Sequence, residues 1–131
     1  MGTIILKVAP DQDLYVAWSS IVEAPVGFGT RAEMLADLRR DWHRAHPDCI
    51  PRPGTGPEVR LERADATGTS AYRDGDYAPG GWDDKELIYE QRGILARSKL
   101  GLMVELLAAE RETAVWDLLE PFDGETEVRR G

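Results

Sequence analysis

The sequence predicts an α+β domain: one antiparallel sheet of about four strands with two to three helices packed on one face, in the order ββαββαα. Three observations predict it. Segments of alternating apolar residues, rich in β-branched and aromatic types, open the chain. A helix-start signature at Thr30–Glu33 is followed by apolar residues at helical spacing. A second and wider helical stripe follows Ser98. At 131 residues the chain has the size of a single domain, so 1–131 reads as one unit.

Taken in order, Thr3 to Val8 (T-I-I-L-K-V) reads as a first strand. The Pro10 and Asp residues of 9–13 carry turn chemistry. Leu14 to Val22 alternates, with Leu14, Val16, Trp18 and Val22 on one side and Tyr15, Ser19 and Glu23 on the other. A hairpin is the economical connection, and Pro25 is expected to close its second strand because it cannot donate to a ladder. Thr30-Arg31-Ala32-Glu33 is a capping box. Met34, Leu35, Leu38, Trp42 and Ala45 continue it as a helix that Pro47 ends, with Asp37, Arg40, Asp41 and Arg44 turned outward. Residues about 47–57 are rich in Pro and Gly and read as a flexible loop. Glu58 to Arg63 alternates again, Val59 and Leu61 against Arg60 and Glu62, which predicts a third strand. A second flexible loop is expected over about 73–84. Leu87 to Ile94 reads as the fourth strand. Ser98 is the expected N-cap of a helix through Leu100, Met103, Val104, Leu107 and Ala108, with Leu102 and Leu106 widening the stripe enough for a core or a homodimer interface. A short helix over Glu112–Glu120 ends at Pro121, and the charged tail 123–131 is expected to fray.

Composition narrows the partners. Acidic residues number 24 against 16 basic ones, for a net charge of −8. Nucleic-acid affinity comes largely from Lys and Arg neutralising phosphates, so direct nucleic-acid binding is disfavoured. Arg39-Arg40, Arg44 and Arg129-Arg130 are the basic clusters. Acidity fits either a solubilising surface or one that docks on a basic protein partner. No uncharged run approaches the ~20 residues of a membrane span. Met1–Lys7 lacks the basic start and apolar stretch of a signal peptide. One cysteine, Cys49, permits no internal disulfide, and a cytoplasmic location is the expectation.

Sites for chemistry are few. No Ser stands in a G-x-S-x-G elbow, and no Gly-rich loop ends in Lys with Ser or Thr. No cofactor is implied. Gly27-Phe28-Gly29-Thr30 leads into a helix start, either as an anion-receiving turn or simply as the entry to the capping box. His43, His46 and Cys49 have the side-chain types of zinc ligands, although Pro47 separates the third from the first two. The alternative is two exposed histidines favoured by the dipole at a helix C-terminus.

Asp74, Asp76, Tyr77, Trp82, Asp83 and Asp84 crowd one loop. The spacing fails a calcium loop, since Gly75 is misplaced and Pro79 interrupts. These residues fit a contact surface for a basic partner, with Tyr77 and Trp82 as anchors, or a solvated loop whose Trp tucks onto the sheet. Glu23, Glu62, Glu90 and Arg92 fall on expected strands with Arg60. They fit a cross-strand charged ladder, or an acid–base or ligand site if they line a cleft.

The stretches D-L-Y-V-A-W-S-S-I-V-E-A-P (Asp13 to Pro25), G-T-R-A-E-M-L (Gly29 to Leu35) and I-Y-E-Q-R-G (Ile88 to Gly93) resemble small acidic proteins of high-GC actinobacteria and their phages. That resemblance implies an accessory role of a phage or mobile element. The sequence therefore leads to an interaction module that binds a host or partner protein. The alternative is a small ligand-binding domain or enzyme using the charged residues of the sheet face.

Overall fold

A computed structural model of the protein describes residues 3–48, 56–71, 80–82, 84 and 86–129. The chain is α+β. Its first sheet is a meander of β1 (Thr3–Lys7), β2 (Tyr15–Ser19) and β3 (Ala24–Gly29), all antiparallel. Two helices follow, α1 (Arg31–Ala45) and α2 (Pro57–Thr67). A hairpin of β4 (Glu86–Tyr89) and β5 (Gly93–Ala96) forms a second sheet. A 3₁₀ turn at Arg97–Lys99 leads into α3 (Leu100–Ala108), and α4 (Glu112–Trp116) closes the order. Among the described residues no helix is long and apolar enough to cross a membrane. The loops expected over 47–57 and 73–84 lie largely outside the described residues.

Strand alternation builds two cores on one sheet. Ile5, Tyr15 and Ala17 point to one face and pack with Met34, Leu35 and Leu38 of α1 and Leu61 and Ala64 of α2. Ile4, Leu6, Val8, Val16 and Trp18 point to the other. They meet Tyr89 and Leu95 of the hairpin, Leu100, Met103 and Val104 of α3, Val115 of α4 and Leu119 just beyond it. Burial on both faces explains why T-I-I-L-K-V is so continuously apolar. Each fully buried Leu, Ile or Val in these layers is worth about 1.5–3 kcal/mol relative to exposure.

This arrangement corrects the expected architecture. The strands divide into sheets of three and two rather than one of four, and helices cover both faces of the first sheet rather than one. Pro25 does not end the strands. It lies within β3, opposite Trp18, beside a bulge where the register shifts between Ala17 and Trp18. An edge strand at a bulge tolerates the missing donor. Glu58–Arg63 is helical, not extended. Pro57 occupies the first turn, Pro57, Leu61 and Ala64 are buried at helical spacing, and Gly68 at φ +88° ends the helix in the left-handed region. The expected strand Leu87–Ile94 is folded in two at Glu90-Gln91-Arg92, with Tyr89 opposite Gly93. Glu90 and Gln91 both take positive φ, 49° and 58°. Ser98 falls in the 3₁₀ turn and does not cap α3, which begins after Lys99.

The start of α1 is as read. Glu33 N donates to Thr30 Oγ1 at 3.3 Å, and Thr30 N donates to Glu33 Oε1 at 3.0 Å. These bonds hold the Glu33 carboxyl below its ordinary range. Arg31 N also donates to Asp13 Oδ1 at 2.8 Å. Thr30→Ala is expected to lower stability by about 1 kcal/mol. A urea midpoint that falls at unchanged slope would show it, and an unmoved midpoint would show that Asp13 alone suffices.

Candidate functional site

Helices α1 and α2 run antiparallel over the first sheet and are tied twice. Arg31 Nε meets Asp65 Oδ2 at 3.1 Å, and Arg39 Nη2 meets Glu58 Oε1 at 2.5 Å. At the first tie the Tyr15 hydroxyl donates to Asp65 Oδ1, and Lys7 Nζ stands 3.7 Å from the same oxygen. Burial pushes the Tyr15 hydroxyl up to about 12, and the bond to Asp65 adds to that. Burial raises the Asp65 carboxyl, but Tyr15, Arg31 and Lys7 outweigh it and hold the group below its ordinary value. This compact cluster, two cations and a hydroxyl on one carboxylate, fixes the helix pair to β1 and β2.

Beyond it, where α1 ends and α2 begins, the helices and the sheet enclose a groove of about 640 Å³. Its floor is the cross-strand row Ile5, Ala17 and Gly27, which the register places side by side. Two of these three residues are small, and that is what leaves the space. A Cβ built on Gly27 would meet only Ala17 Cβ, at 4.0 Å. Met34, Leu38 and Trp42 wall one side and Pro57 and Val59 the other. The Trp42 ring is stacked with His46 at 4.6 Å and meets His43 edge-on at 5.6 Å.

Charged groups ring the mouth. Arg40 engages both nearby carboxylates, Asp37 at 2.9 Å and Asp41 at 3.9 Å. Across the groove, Arg60 Nη2 donates to the Thr3 carbonyl at 2.9 Å, and Arg63 Nε donates to the Ser70 carbonyl at 2.9 Å. Burial, with the Arg63 charge nearby, pulls the Arg60 guanidinium below its ordinary value.

The residues singled out in the sequence are placed as follows. Asp74, Asp76, Tyr77, Asp83 and Cys49 lie outside the described residues. Trp82 carries the Arg97 guanidinium 4.6 Å above its ring, and Asp84 Oδ2 accepts from Gly80 N at 2.9 Å. Glu23, Glu90 and Arg92 come together, but at two turns rather than on strand faces. Glu90 N donates to Glu23 O at 2.8 Å, the Gln91 amide donates to the Glu23 carboxylate, and Arg92 Nε is 3.5 Å from Glu90 Oε1. Arg92 also covers the Trp116 ring at 4.0 Å. Glu62 is apart from them, on the exposed side of α2. His43 and His46 both lie against Trp42. Among the described residues no three His, Cys, Asp or Glu side chains gather as a metal site would require.

The groove itself was not visible in the sequence. Trp42 reads as a core position and Arg60 as the outer face of a strand. The one available signal was the pair of small residues, Ala17 and Gly27, within segments that otherwise carry bulky ones. No protein-family model, no curated protein and no solved structure matches the chain.

Proposed function

We propose that the chain is a small-ligand-binding domain whose site is the groove between the first sheet and the α1–α2 pair. The observation that carries this reading is the groove itself. About 640 Å³ lies over an apolar floor with a few convergent polar groups at its mouth, the size and lining that small-molecule sites share. The two helices that wall it are tied to each other by Arg31–Asp65 and Arg39–Glu58. The test is a fragment library screened by NMR. Saturable shifts at the Trp42 indole and Gly27 amide are expected, and they should vanish in Gly27→Leu, whose side chain would occupy the floor. Hits that leave both signals unmoved, or that survive Gly27→Leu, would place binding elsewhere.

A second reading is an accessory protein of a phage or mobile element that binds a host or partner protein. It draws support from Ile21, 80 % exposed, and Val22, 55 % exposed, adjacent at the β2–β3 turn. Ile21→Asp should then release a partner that the parent protein retains at stoichiometric amount. Equal retention by both would remove this reading.

A further inference from the structure

We propose that the groove takes a monocarboxylate with an apolar body, its carboxylate docked on Arg60. The inference rests on the groove being a ligand site and names the class of ligand. It follows from a local reversal of charge. The chain as a whole has net charge −8, yet among the described residues the groove is lined by Arg40, Arg60 and Arg63 against only Asp37 and Asp41. Both of those carboxylates are engaged by Arg40. Arg63 faces the Ser70 carbonyl. Arg60 is half-buried, and its partner is a neutral carbonyl, that of Thr3. No carboxylate pairs with it among the described residues.

Partial burial of a guanidinium without an opposite charge carries a cost, and an incoming anion relieves it. The Thr3 carbonyl uses one N–H of Nη2, leaving the rest of the fork for a two-point contact with a carboxylate. A single negative charge matches the excess of one cation among the described lining residues, three Arg against two Asp. The surrounding acidic protein disfavours polyanions. The floor of Ile5, Ala17 and Gly27 and the wall residues Met34 and Leu38 have no polar side-chain atom to offer, so the body of the ligand is apolar.

The experiment is calorimetric titration of the full chain at neutral pH with octanoate and with octanamide, its uncharged counterpart. Octanoate is expected to bind one-to-one and octanamide roughly tenfold more weakly, the difference a charge-assisted contact makes. Arg60→Gln should erase that preference, whereas Arg60→Lys should keep part of it and Arg129→Gln, outside the groove, all of it. Retention of the Trp42 indole shift range would confirm that each variant is folded. Equal affinity for the two probes, or a preference that survives Arg60→Gln, overturns the proposal while leaving the groove a ligand site. An apolar peptide with a free C-terminus that binds where octanoate does not would also overturn it, since the occupant would be a chain end. Absence of octanoate binding together with no fragment shift at Trp42 would remove the carboxylate and the groove reading alike.

Discussion

Arg97→Gln is expected to lower stability by about 3–5 kcal/mol. Arg97 is only 7 % exposed. Its guanidinium donates to four backbone carbonyls: Gly80 and Lys7 at 2.7 Å, Gly68 at 2.8 Å and Val8 at 3.2 Å. The end of β1, the end of α2, the segment at 80–82 and the β5–α3 junction are thus joined through one side chain. Trp82 covers it, and burial draws the guanidinium below its ordinary value while Asp84 opposes that shift. Gln has too few donors and too little reach to serve the four carbonyls, of which that of Gly68 also accepts from the Lys7 amide. Lys offers three donors from a single point and is not expected to restore the planar fan. Gly68 belongs to the same unit. A Cβ there would lie 2.6 Å from Trp82 Cε3 and 2.8 Å from Arg97 Nη2, on a backbone at φ +88°. Gly68→Ala should therefore destabilise, and its effect should not add to that of Arg97→Gln. Urea unfolding of the two single variants and the double variant provides the measurement. Simple additivity would refute the shared unit, and a cost below about 1 kcal/mol for Arg97→Gln would refute its central role.

The second large effect is alkaline. Tyr15 and Tyr89 are each 1 % exposed. Burial pushes both hydroxyls from 10.0 up to about 12, helped at Tyr15 by Asp65 and at Tyr89 by Glu90 and Glu112. Above about pH 10 the unfolded chain releases both protons while the folded chain keeps them. The folded state then binds more protons, so stability falls as pH rises. It is flat with respect to these groups below the unfolded value and is lost progressively up to the folded one. At about 1.4 kcal/mol per unit for each tyrosine, the two together remove about 5 kcal/mol across that window. Unfolding free energy measured against pH should bend downward in that range, and in a Tyr72→Phe/Tyr77→Phe background tyrosinate absorbance should rise only as the protein opens. Tyr15→Phe should remove about half of the slope. A curve that stays level, or tyrosinate that forms in the folded protein of that background, would contradict the burial of these rings.

How much of this was legible depends on where the deciding residues sit. Thr30 and Glu33 are three apart, and their reciprocal bonds are local, so α1 could be read directly. The continuous apolar run of β1 already contained its burial on two faces. Glu58–Arg63 was not decidable from its own six residues, because Val59 and Leu61 with Arg60 and Glu62 between them alternate while Leu61 and Ala64 also satisfy a helix. The deciding signals were the flanking Pro57 and Gly68. The β4–β5 turn carries no Gly or Asn at its positive-φ positions, and Glu90 and Gln91 give no warning of it. The groove was further out of reach. It exists because a bulge in the β2–β3 register brings Gly27 opposite Ala17, a relation between strands that neither segment contains.

Strands β1 and β2 belong to both cores at once, Ile5 and Tyr15 to one and Leu6 and Val16 to the other. Adjacent residues on one backbone therefore report on opposite sides of the molecule, and neither layer of helices can peel away without exposing strands the other layer needs. Amide hydrogens of β1 and β2 should exchange with solvent only through global opening, at one common rate set by the total stability, while α1 and α4 release theirs earlier through partial fraying.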